Sequence, residues 1–300
     1  MKTIALLFTV LLVLAVPLLS QTTVSMENYR VYDGKGNPSS IEQIIKAIDS
    51  VDVIFLGEQH DDSVGHALEF EIFNRAVADY AAKRKVALSM EMFERDVQIV
   101  LNEYLRGQIT EAQFLASSRP WGNYKTDYRP LVEMAKEKQL DIVAANAPRR
   151  YVNMVSRGGR DVLNGLTKEA KAWIAPLPYG EPSEAYSKKF KSLMGPSPEA
   201  QMGIEKILSS QSLWDATMSN SVANYLKKNK KSLVVHINGG FHTESRLGTV
   251  EHLLNYRPKA KALVVTMRYE DDFKTFDKAK DTDIGDFVIL TDAKQPRSKR

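Results

Sequence analysis

The stretch Val51-Asp52-Val53-Ile54-Phe55-Leu56-Gly57-Glu58-Gln59-His60 is the most informative part of this 300-residue sequence. Its apolar residues form a nearly continuous run, a pattern typical of a strand that is buried on both faces of a sheet. Five more short apolar runs follow, and helical patterns occur between them. These runs cover residues 85–90, 140–145, 232–237, 262–267 and 287–290. Strands that alternate with helices predict an α/β fold, in which a mostly parallel sheet is flanked by helices.

Residues 152–231 interrupt this alternation, because they contain no clear strand pattern. They hold a turn rich in Pro and Gly and a long helical pattern, so we predict an all-helical insertion that caps one edge of the sheet. Aromatic and Met side chains in and before this insertion could line a large apolar pocket, although helix packing explains them equally well. These side chains are Trp121, Tyr124, Tyr128, Trp173, Tyr179, Tyr186, Phe190, Met194, Met202, Trp214 and Met218.

The first residues have the pattern of a secretory signal peptide. Lys2 precedes an apolar run over residues 4–19, and polar residues follow it. We therefore expect residues 1–25 to be the signal and residues 26–300 to form one α/β domain, exported to the periplasm or cell envelope. An uncleaved signal, which would attach the chain to the membrane, is the alternative. Gln21 stands where a lipoprotein would carry its lipidated Cys, so we expect no lipid anchor.

Composition excludes several classes of function. The 41 Lys and Arg residues barely outnumber the 37 Asp and Glu residues, and the net charge of +4 gives no indication of nucleic-acid binding. The sequence contains no Cys, which excludes disulfides, thiolate nucleophiles, Cys-bound zinc and iron–sulfur clusters. Any imidazole chemistry depends on five histidines, which are His60, His66, His236, His242 and His252.

Polar residues follow four of the predicted strands. The first strand leads into Gly57-Glu58-Gln59-His60 and the second into Glu91, while Asn146-Ala147-Pro148-Arg149-Arg150-Tyr151 follows the third and Asn238-Gly239-Gly240-Phe241-His242 the fourth. The carboxyl ends of parallel strands meet at one edge of the sheet, where ligands bind in open α/β folds. The sequence therefore predicts one site built from two Gly-x-x-His units, an acid and an Arg pair.

Two chemistries suit these residues. His60 and His242, with carboxylate oxygen from Glu58 or Glu91, form a donor set for a divalent metal, or a general base beside an electrostatic clamp. The alternative is structural, with both histidines capping helices or bracing loops. Arg149 and Arg150 could hold carboxylates or propionates in a forked geometry, or form ordinary salt bridges.

The other three histidines have simpler interpretations. His66, two turns into a predicted helix, is expected at the surface or the edge of the core. His236 lies inside a buried strand and is expected to be a hydrogen-bonded core residue. We expect His252, on an outer helix, to be solvated. The basic tail, residues 294–300, is predicted to fray.

The four polar motifs in this order, which include Glu91-Met92-Phe93-Glu94-Arg95, resemble those of the ChaN family of bacterial haem-binding, iron-uptake proteins. This family belongs to a superfamily with Tiki, TraB and erythromycin esterase proteins. The resemblance covers about residues 45 to 270. It implies haem as cofactor, bound at the interface of a homodimer beneath the helical cap, with a tyrosine on the iron. Tyr151 and Tyr179 are the candidate ligands, Arg149 and Arg150 would lie near the propionates, and an outer-membrane haem receptor would act upstream.

The same superfamily implies an alternative function. In the Tiki and erythromycin esterase relatives, paired Gly-x-x-His motifs and a glutamate form the catalytic centre of a hydrolase, which in Tiki proteins depends on a metal ion. The corresponding residues here are His60, Glu91 and His242, with Glu58 as a further metal ligand. Haem binding is the first interpretation and a metal-dependent hydrolase or peptidase the second. A periplasmic scaffold that binds no haem is a third alternative.

Overall fold

A seven-stranded sheet forms the centre of the molecule in the computed structural model, which describes residues 24–195 and 203–299. The strands lie in the order β1-β7-β6-β2-β5-β3-β4, and all neighbouring pairs are parallel except β1 with β7. Their bounds are β1 (Tyr29–Asp33), β2 (Val53–Glu58), β3 (Val86–Glu94), β4 (Asp141–Asn146), β5 (Leu233–Gly239), β6 (Ala262–Glu270) and β7 (Phe287–Asp292). The predicted α/β fold with a mostly parallel sheet is confirmed.

Helices cover both faces of this sheet. They are α1 (Ile41–Ala47), α2 (Ser63–Tyr80), α3 (Gln98–Leu105), α4 (Glu111–Ser118), α5 (Arg129–Glu137), α6 (Arg149–Gly158), α7 (Lys168–Lys171), α8 (Glu184–Met194), α9 (Ile204–Lys228), α10 (Thr249–Tyr256) and α11 (Lys278–Asp281). A π-helical turn, Tyr124–Tyr128, precedes α5. None of the described helices is both long and apolar enough to cross a bilayer.

The central strands are buried because both of their faces are covered. Every residue of β2 and β5 is buried, which explains why their sequences are continuous apolar runs rather than alternating ones. Helix α2 packs on one face, and its residues Leu68, Ile72 and Phe73 lie in the main core. The side chain of Asp62 accepts a hydrogen bond from the Val64 amide and begins α2 directly after β2.

Strand β1 was not expected from the sequence. It is a five-residue edge strand that pairs antiparallel with β7, and its sequence Tyr-Arg-Val-Tyr-Asp has no continuous apolar run. An edge strand needs only one buried face and one hydrogen-bonded neighbour, so its local signal is weak.

Residues 152–231 are helical or irregular wherever the structure describes them, and the 25-residue helix α9 lies in their C-terminal part. Residues 196–202 of the predicted insertion, including Met202, and nearly all of the predicted signal peptide lie outside the described residues. Helix α6 begins the helical cap at residue 149, three residues earlier than predicted.

Arg95 connects this helical cap to the sheet. Its guanidinium donates hydrogen bonds to the Ser221 hydroxyl, to the Ile174 carbonyl and to the Asn220 side chain, all on the cap. Burial lowers the pKa of Arg95 to about 10, but the side chain remains charged at neutral pH. Because the hydrogen bonds of this guanidinium all go to the cap, they fix the position of the cap relative to the sheet.

Residues 294–299 of the C-terminal tail are not frayed, contrary to the prediction. The Ser298 amide donates to the Asp61 carbonyl, and its hydroxyl donates to Asp127 Oδ1 at 2.8 Å. Arg297 stacks over the Tyr269 ring, with the guanidinium carbon 3.4 Å from the ring centre. These contacts hold the tail against the loop that follows β2.

Candidate functional site

An open cleft of about 970 Å³ lies at the carboxyl edge of the sheet, below the helical cap. Five of the predicted site residues line it together with side chains from the cap and the tail, while Arg150, Tyr151 and Tyr179 do not. The lining residues include Glu58, His60, Glu91, Asn146, Arg149, Phe190, Leu193, Trp214, His242 and Ser298. Strands β2, β5 and β3 are adjacent, so the polar groups at their ends are brought together from positions far apart in sequence.

His60 is held by a carboxylate behind it. Its Nδ1 hydrogen-bonds to Glu58 Oε1 at 2.5 Å, and the Tyr128 hydroxyl donates to the same oxygen at 2.7 Å. The Trp121 ring packs edge-on, with the ring centres 4.9 Å apart. Because Nδ1 is bound to Glu58, Nε2 is the nitrogen that remains for a ligand or a proton.

Gly239 is required where the His60 ring meets strand β5. A Cβ atom on residue 239 would lie only 2.7 Å from His60 Nε2 and 2.8 Å from its Cε1. The Gly239 amide also donates to Glu91 Oε2 at 2.7 Å. The absence of a side chain at this position therefore allows His60 and Glu91 to approach the same backbone segment.

His242 has its own carboxylate, Asp215, which comes from the cap. Its Nδ1 lies 2.8 Å from Asp215 Oδ1, and its Nε2 faces Glu91 Oε1 at 3.8 Å. Thr249 and Tyr186 donate their hydroxyls to the two oxygens of Asp215. Burial alone would lower the pKa of His242, but the charges of Asp215 and Glu91 outweigh it and raise this pKa to about 9. His242 is therefore an imidazolium near neutral pH.

Asp215 is a site residue that the sequence analysis missed. It lies on α9 and is fully buried, and the charge of His242 overcomes its burial to hold its pKa below the ordinary value. The sequence contained one indication of this role, because Asp215 is an acid that lies between the apolar residues Leu213-Trp214 and Ala216 on a largely buried helix. Charged residues are almost never fully buried without a partner, so this acid could have indicated a cation on the sheet.

The prediction for His66 was wrong. Its side chain is buried, with 4% of the residue exposed, because position 66 on α2 faces the end of β2 rather than solvent. His66 Nδ1 lies 3.1 Å from Glu58 Oε2 and 3.1 Å from Glu69 Oε2. Burial would lower the pKa of His66, but the two carboxylates outweigh it and raise the pKa to about 12.

The two acids beside His66 differ in their protonation. Burial opposes the charge on Glu58, yet His66 and the hydrogen bond from His60 hold its pKa well below the ordinary value. Burial and the nearby charge of Glu58 raise the pKa of Glu69 well above the ordinary value. The pKa values of two carboxyl groups that share a buried site move apart in this way, because ionising both would place two like charges close together away from water.

His236 is a core residue, as predicted. It is fully buried, its Nδ1 hydrogen-bonds to Ser89 at 2.8 Å, and burial lowers its pKa to about 3. The prediction for His252 was wrong, since only 4% of the residue is exposed. Its Nε2 lies 3.3 Å from the Ser212 hydroxyl on α9, which covers α10. Burial lowers the pKa of His252, so it is neutral at pH 7.

The two adjacent arginines occupy different environments. Arg150 forms an ion pair with Asp96, and its guanidinium stacks 4.4 Å from the Tyr151 ring centre. Arg149 is exposed and forms no ion pair with any residue in the described ranges. It lines both the cleft and a neighbouring cavity of about 740 Å³, whose walls include Met92 and Trp121.

The two candidate tyrosines also differ. Tyr151 lies in the first turn of α6, and its hydroxyl is 3.3 Å from Arg150 Nη2. Tyr179 is buried within the cap, donates its hydroxyl to the Ser209 carbonyl at 2.9 Å and packs under Arg160. Both tyrosines are buried, and neither lines the cleft or the neighbouring cavity. The fold thus places Tyr151, but not Tyr179, beside the Arg pair.

The predicted metal ligands are not all grouped as a metal site. Among the described residues, one set of three or more His, Asp or Glu side chains has ligand atoms within 4.8 Å of one another, and it comprises Glu58, His66 and Glu69. His60, Glu91 and His242 line the same cleft but do not form such a set in this conformation.

Fold and site together define an α/β protein with a carboxylate- and histidine-lined cleft at the carboxyl ends of parallel strands. Residues 44–253 match the family model described as haem-binding uptake, Tiki superfamily, ChaN. This match covers more than half of the chain, and the protein belongs to this family. No protein of curated function matches the chain in sequence.

Solved structures show the same fold. The chain is similar to ChaN of Campylobacter jejuni, in a structure that describes cofacial haem binding to that protein, with a TM-score of 0.70, 19% identity and coverage of 89% of this chain and 98% of that one. A Bacillus cereus protein is similar with a TM-score of 0.51, 11% identity and coverage of 87% and 94%. At these identities the similarity shows the shared fold alone.

Proposed function

We propose that this protein is an exported haem-binding protein that takes part in haem and iron acquisition. The family description and the haem bound by Campylobacter jejuni ChaN support this proposal. The observation in this structure that carries it is Arg149, an exposed cation beside Trp121, where the two cavities meet and where no described acid pairs with it.

The residues around Arg149 fit the chemistry of haem. Haem presents a flat apolar macrocycle and two carboxylates, so it needs an apolar wall with a cation at its edge. Trp121 and Met92 supply apolar surface in one cavity, and Trp214 supplies it in the cleft. Arg149 is available to hold a propionate, and Arg150 lies next to it, although it already pairs with Asp96.

Tyr151 is the proposed iron ligand. When bound, haem supplies a ferric ion that accepts a phenolate oxygen. The guanidinium of Arg150 lies next to the Tyr151 hydroxyl and places positive charge beside the oxygen that would become negative. Tyr179 is the weaker candidate, because its hydroxyl already donates to Ser209 and faces the interior of the cap.

The proposal includes a homodimer that encloses haem beneath the cap, and an outer-membrane receptor that delivers it. Exposed apolar residues on the cap support a covered surface there. Leu193, at the end of α8, is 69% exposed and borders the cleft, and Met154 on α6 is also exposed. Export is proposed from the apolar run at residues 4–19, with an uncleaved signal as the route to membrane attachment.

A haemin titration of the purified chain tests this function. We expect a saturable shift of the Soret band, together with a change from monomer to dimer in size exclusion. Tyr151→Phe should abolish the charge-transfer spectrum of tyrosinate ligation without changing the melting temperature, and Tyr179→Phe is the matched control. Unchanged spectra in both variants would refute the ligand assignment, and the absence of saturable binding would refute the function.

The cleft also favours a second candidate, a hydrolase of the Tiki and erythromycin esterase type. His60 and His242 each have a carboxylate behind Nδ1, and Glu91 lies between them. His60 presents Nε2 to accept a proton from water, while the charged His242 can donate one to a leaving group. In the metal-dependent form of this candidate, His60 Nε2 and a neutral His242 Nε2 would instead hold a divalent ion that activates water, and Glu91 would act as the acid and base.

Metal analysis separates this candidate from haem uptake. If the hydrolase candidate is correct, protein purified without chelator holds a divalent ion that His60→Ala and His242→Ala remove. Metal content that neither substitution changes would contradict this assignment of ligands.

A further inference from the structure

Directly behind His60, the side chains of Glu58, His66 and Glu69 meet in the interior of the protein. Glu58 ends β2, while His66 and Glu69 lie three residues apart on α2 and therefore point in the same direction. His66 Nδ1 lies 3.1 Å from one oxygen of each glutamate, and all three residues are buried.

The hydrogen bonds of this cluster are incomplete. The single proton on His66 Nδ1 can serve only one of the two carboxylates. Glu58 Oε2 and Glu69 Oε1, both fully buried, have no hydrogen-bond partner. An unpaired buried carboxylate oxygen is costly, and a cation held between the two glutamates would pair with both oxygens.

A third acid adjoins this cluster. Asp127 lies on the other side of His66, with Oδ2 3.5 Å from Nε2. Within the described ranges, no Lys or Arg forms an ion pair with Glu58, Glu69 or Asp127. Three buried acids thus share one imidazole, together with the partly exposed His60.

We propose that Glu58 Oε2, His66 Nδ1 and Glu69 Oε2 bind a first-row divalent cation such as Mn²⁺ or Zn²⁺. Two carboxylate oxygens and an imidazole nitrogen form a donor set that such ions prefer. Bonds of about 2.1 Å place neighbouring ligand atoms about 3.0 to 3.4 Å apart in octahedral or tetrahedral geometry. The observed separations of 3.1 Å from His66 Nδ1 fall in this range.

The groups around the cluster orient its ligands as metal sites require. His66 Nε2 lies 3.2 Å from the His60 carbonyl, so it can donate its proton there while Nδ1 binds the ion. Tyr128 and His60 hold Glu58 Oε1, which leaves Oε2 for the cation. On binding, His66 releases the proton on Nδ1 and Glu69 releases its carboxyl proton to solvent.

This site shares Glu58 with the hydrolase candidate, but its other ligands, His66 and Glu69, replace His60, Glu91 and His242, and it does not depend on haem. Its proposed role is to fix Glu58 and, through it, His60 at the wall of the cleft. Without the ion, a proton shared by Glu58 and Glu69 would occupy the same position, and this is the competing outcome of the test.

The test measures metal content and the electron paramagnetic resonance of Mn²⁺ titrated into the chelator-treated full chain. We expect one ion per chain, loss of the free Mn²⁺ signal on binding and a melting temperature that rises with Mn²⁺. Glu69→Gln should abolish all three effects, and Gln can still donate a hydrogen bond to Glu58, so the fold is preserved. His242→Ala should retain all three.

The outcomes are decisive in both directions. Mn²⁺ and Zn²⁺ that fail to bind the wild-type chain, or that bind Glu69→Gln equally well, would overturn the proposal and leave the shared proton. Loss of the ion in His242→Ala with retention in Glu69→Gln would assign it to the hydrolase candidate instead. The haemin titration of Glu69→Gln should be unchanged, which separates this site from the haem function.

Discussion

Nδ1 of His242 lies 2.8 Å from Oδ1 of Asp215, so an acid of the helical cap orients a histidine of the sheet. The sequence places these residues 27 positions apart. Each lies on a different layer of the protein, and the cleft has its chemistry only when the two layers are packed together. The cap is therefore part of the site.

We expect Asp215→Asn to lower the pKa of His242, since Asp215 is the main contribution that opposes burial. The titration of His242, followed by NMR of its imidazole, should have its midpoint near 9 in the wild type and well below it in the variant. Asp161→Asn, an exposed change on the same cap, is the control. A midpoint unchanged by Asp215→Asn would disprove the assigned cause.

The raised pKa of His242 also predicts a pH dependence of stability. The folded pKa of about 9 exceeds the ordinary value of 6.5. The stabilisation is therefore fully present below about pH 6.5 and is lost as the pH rises through 9. We expect up to about 3 kcal/mol of unfolding free energy to disappear over this window, measured by denaturant titration. His242→Gln should flatten the profile, and an equally steep profile in that variant would contradict the prediction.

Gly239→Ala should displace His60 from Glu58. The added Cβ would meet the imidazole at less than 3 Å, and His60 can yield by rotating into the cleft. We expect a cost of about 1 to 3 kcal/mol and an altered environment of the His60 ring by NMR. Gly165→Ala is the matched control, because nothing lies within 4 Å of its Cβ. Equal effects of the two substitutions would show that the close approach at residue 239 is unimportant.

Arg95→Met should loosen the cap. It removes the donors to the Ile174 carbonyl, to Asn220 and to Ser221, and it leaves buried acceptors unpaired. We expect a loss of about 3 kcal/mol and faster amide exchange in α9. Arg119→Met, which removes a half-exposed cation paired with Glu94 and Asp96, should cost less than about 1 kcal/mol. Exchange in α9 that stays unchanged in Arg95→Met would refute this role.

Arg149→Ala should weaken haemin binding about tenfold, the loss of one charge-assisted contact of about 1.4 kcal/mol. The measurement is the dissociation constant from the Soret titration at two salt concentrations. Arg157→Ala, an exposed arginine at the other end of α6, should leave binding unchanged. Equal affinities in Arg149→Ala and the wild type would exclude Arg149 as a propionate contact.

The buried strands were predictable because their signal is local. In β2 and β5 every residue is buried, so the apolar run itself marks the strand. Strand β1 lacked such a run. The surroundings of His66 and His252 were not predictable. Whether a residue on a helix is buried or solvated depends on which other element packs against that face of the helix. Helix α2 turns His66 toward Glu58, and α9 covers His252.

The sequence by itself determined the α/β class, the family and the set of polar residues at the strand ends, because apolar runs and short motifs are local properties of the chain. Only the tertiary structure decided which side chains meet. Strand order places β5 between β2 and β3 and so brings His60 to Gly239 and Glu91. Packing of the cap then supplies Asp215, since hydrogen bonds and charge pairs over a few ångströms depend on position in space rather than in sequence.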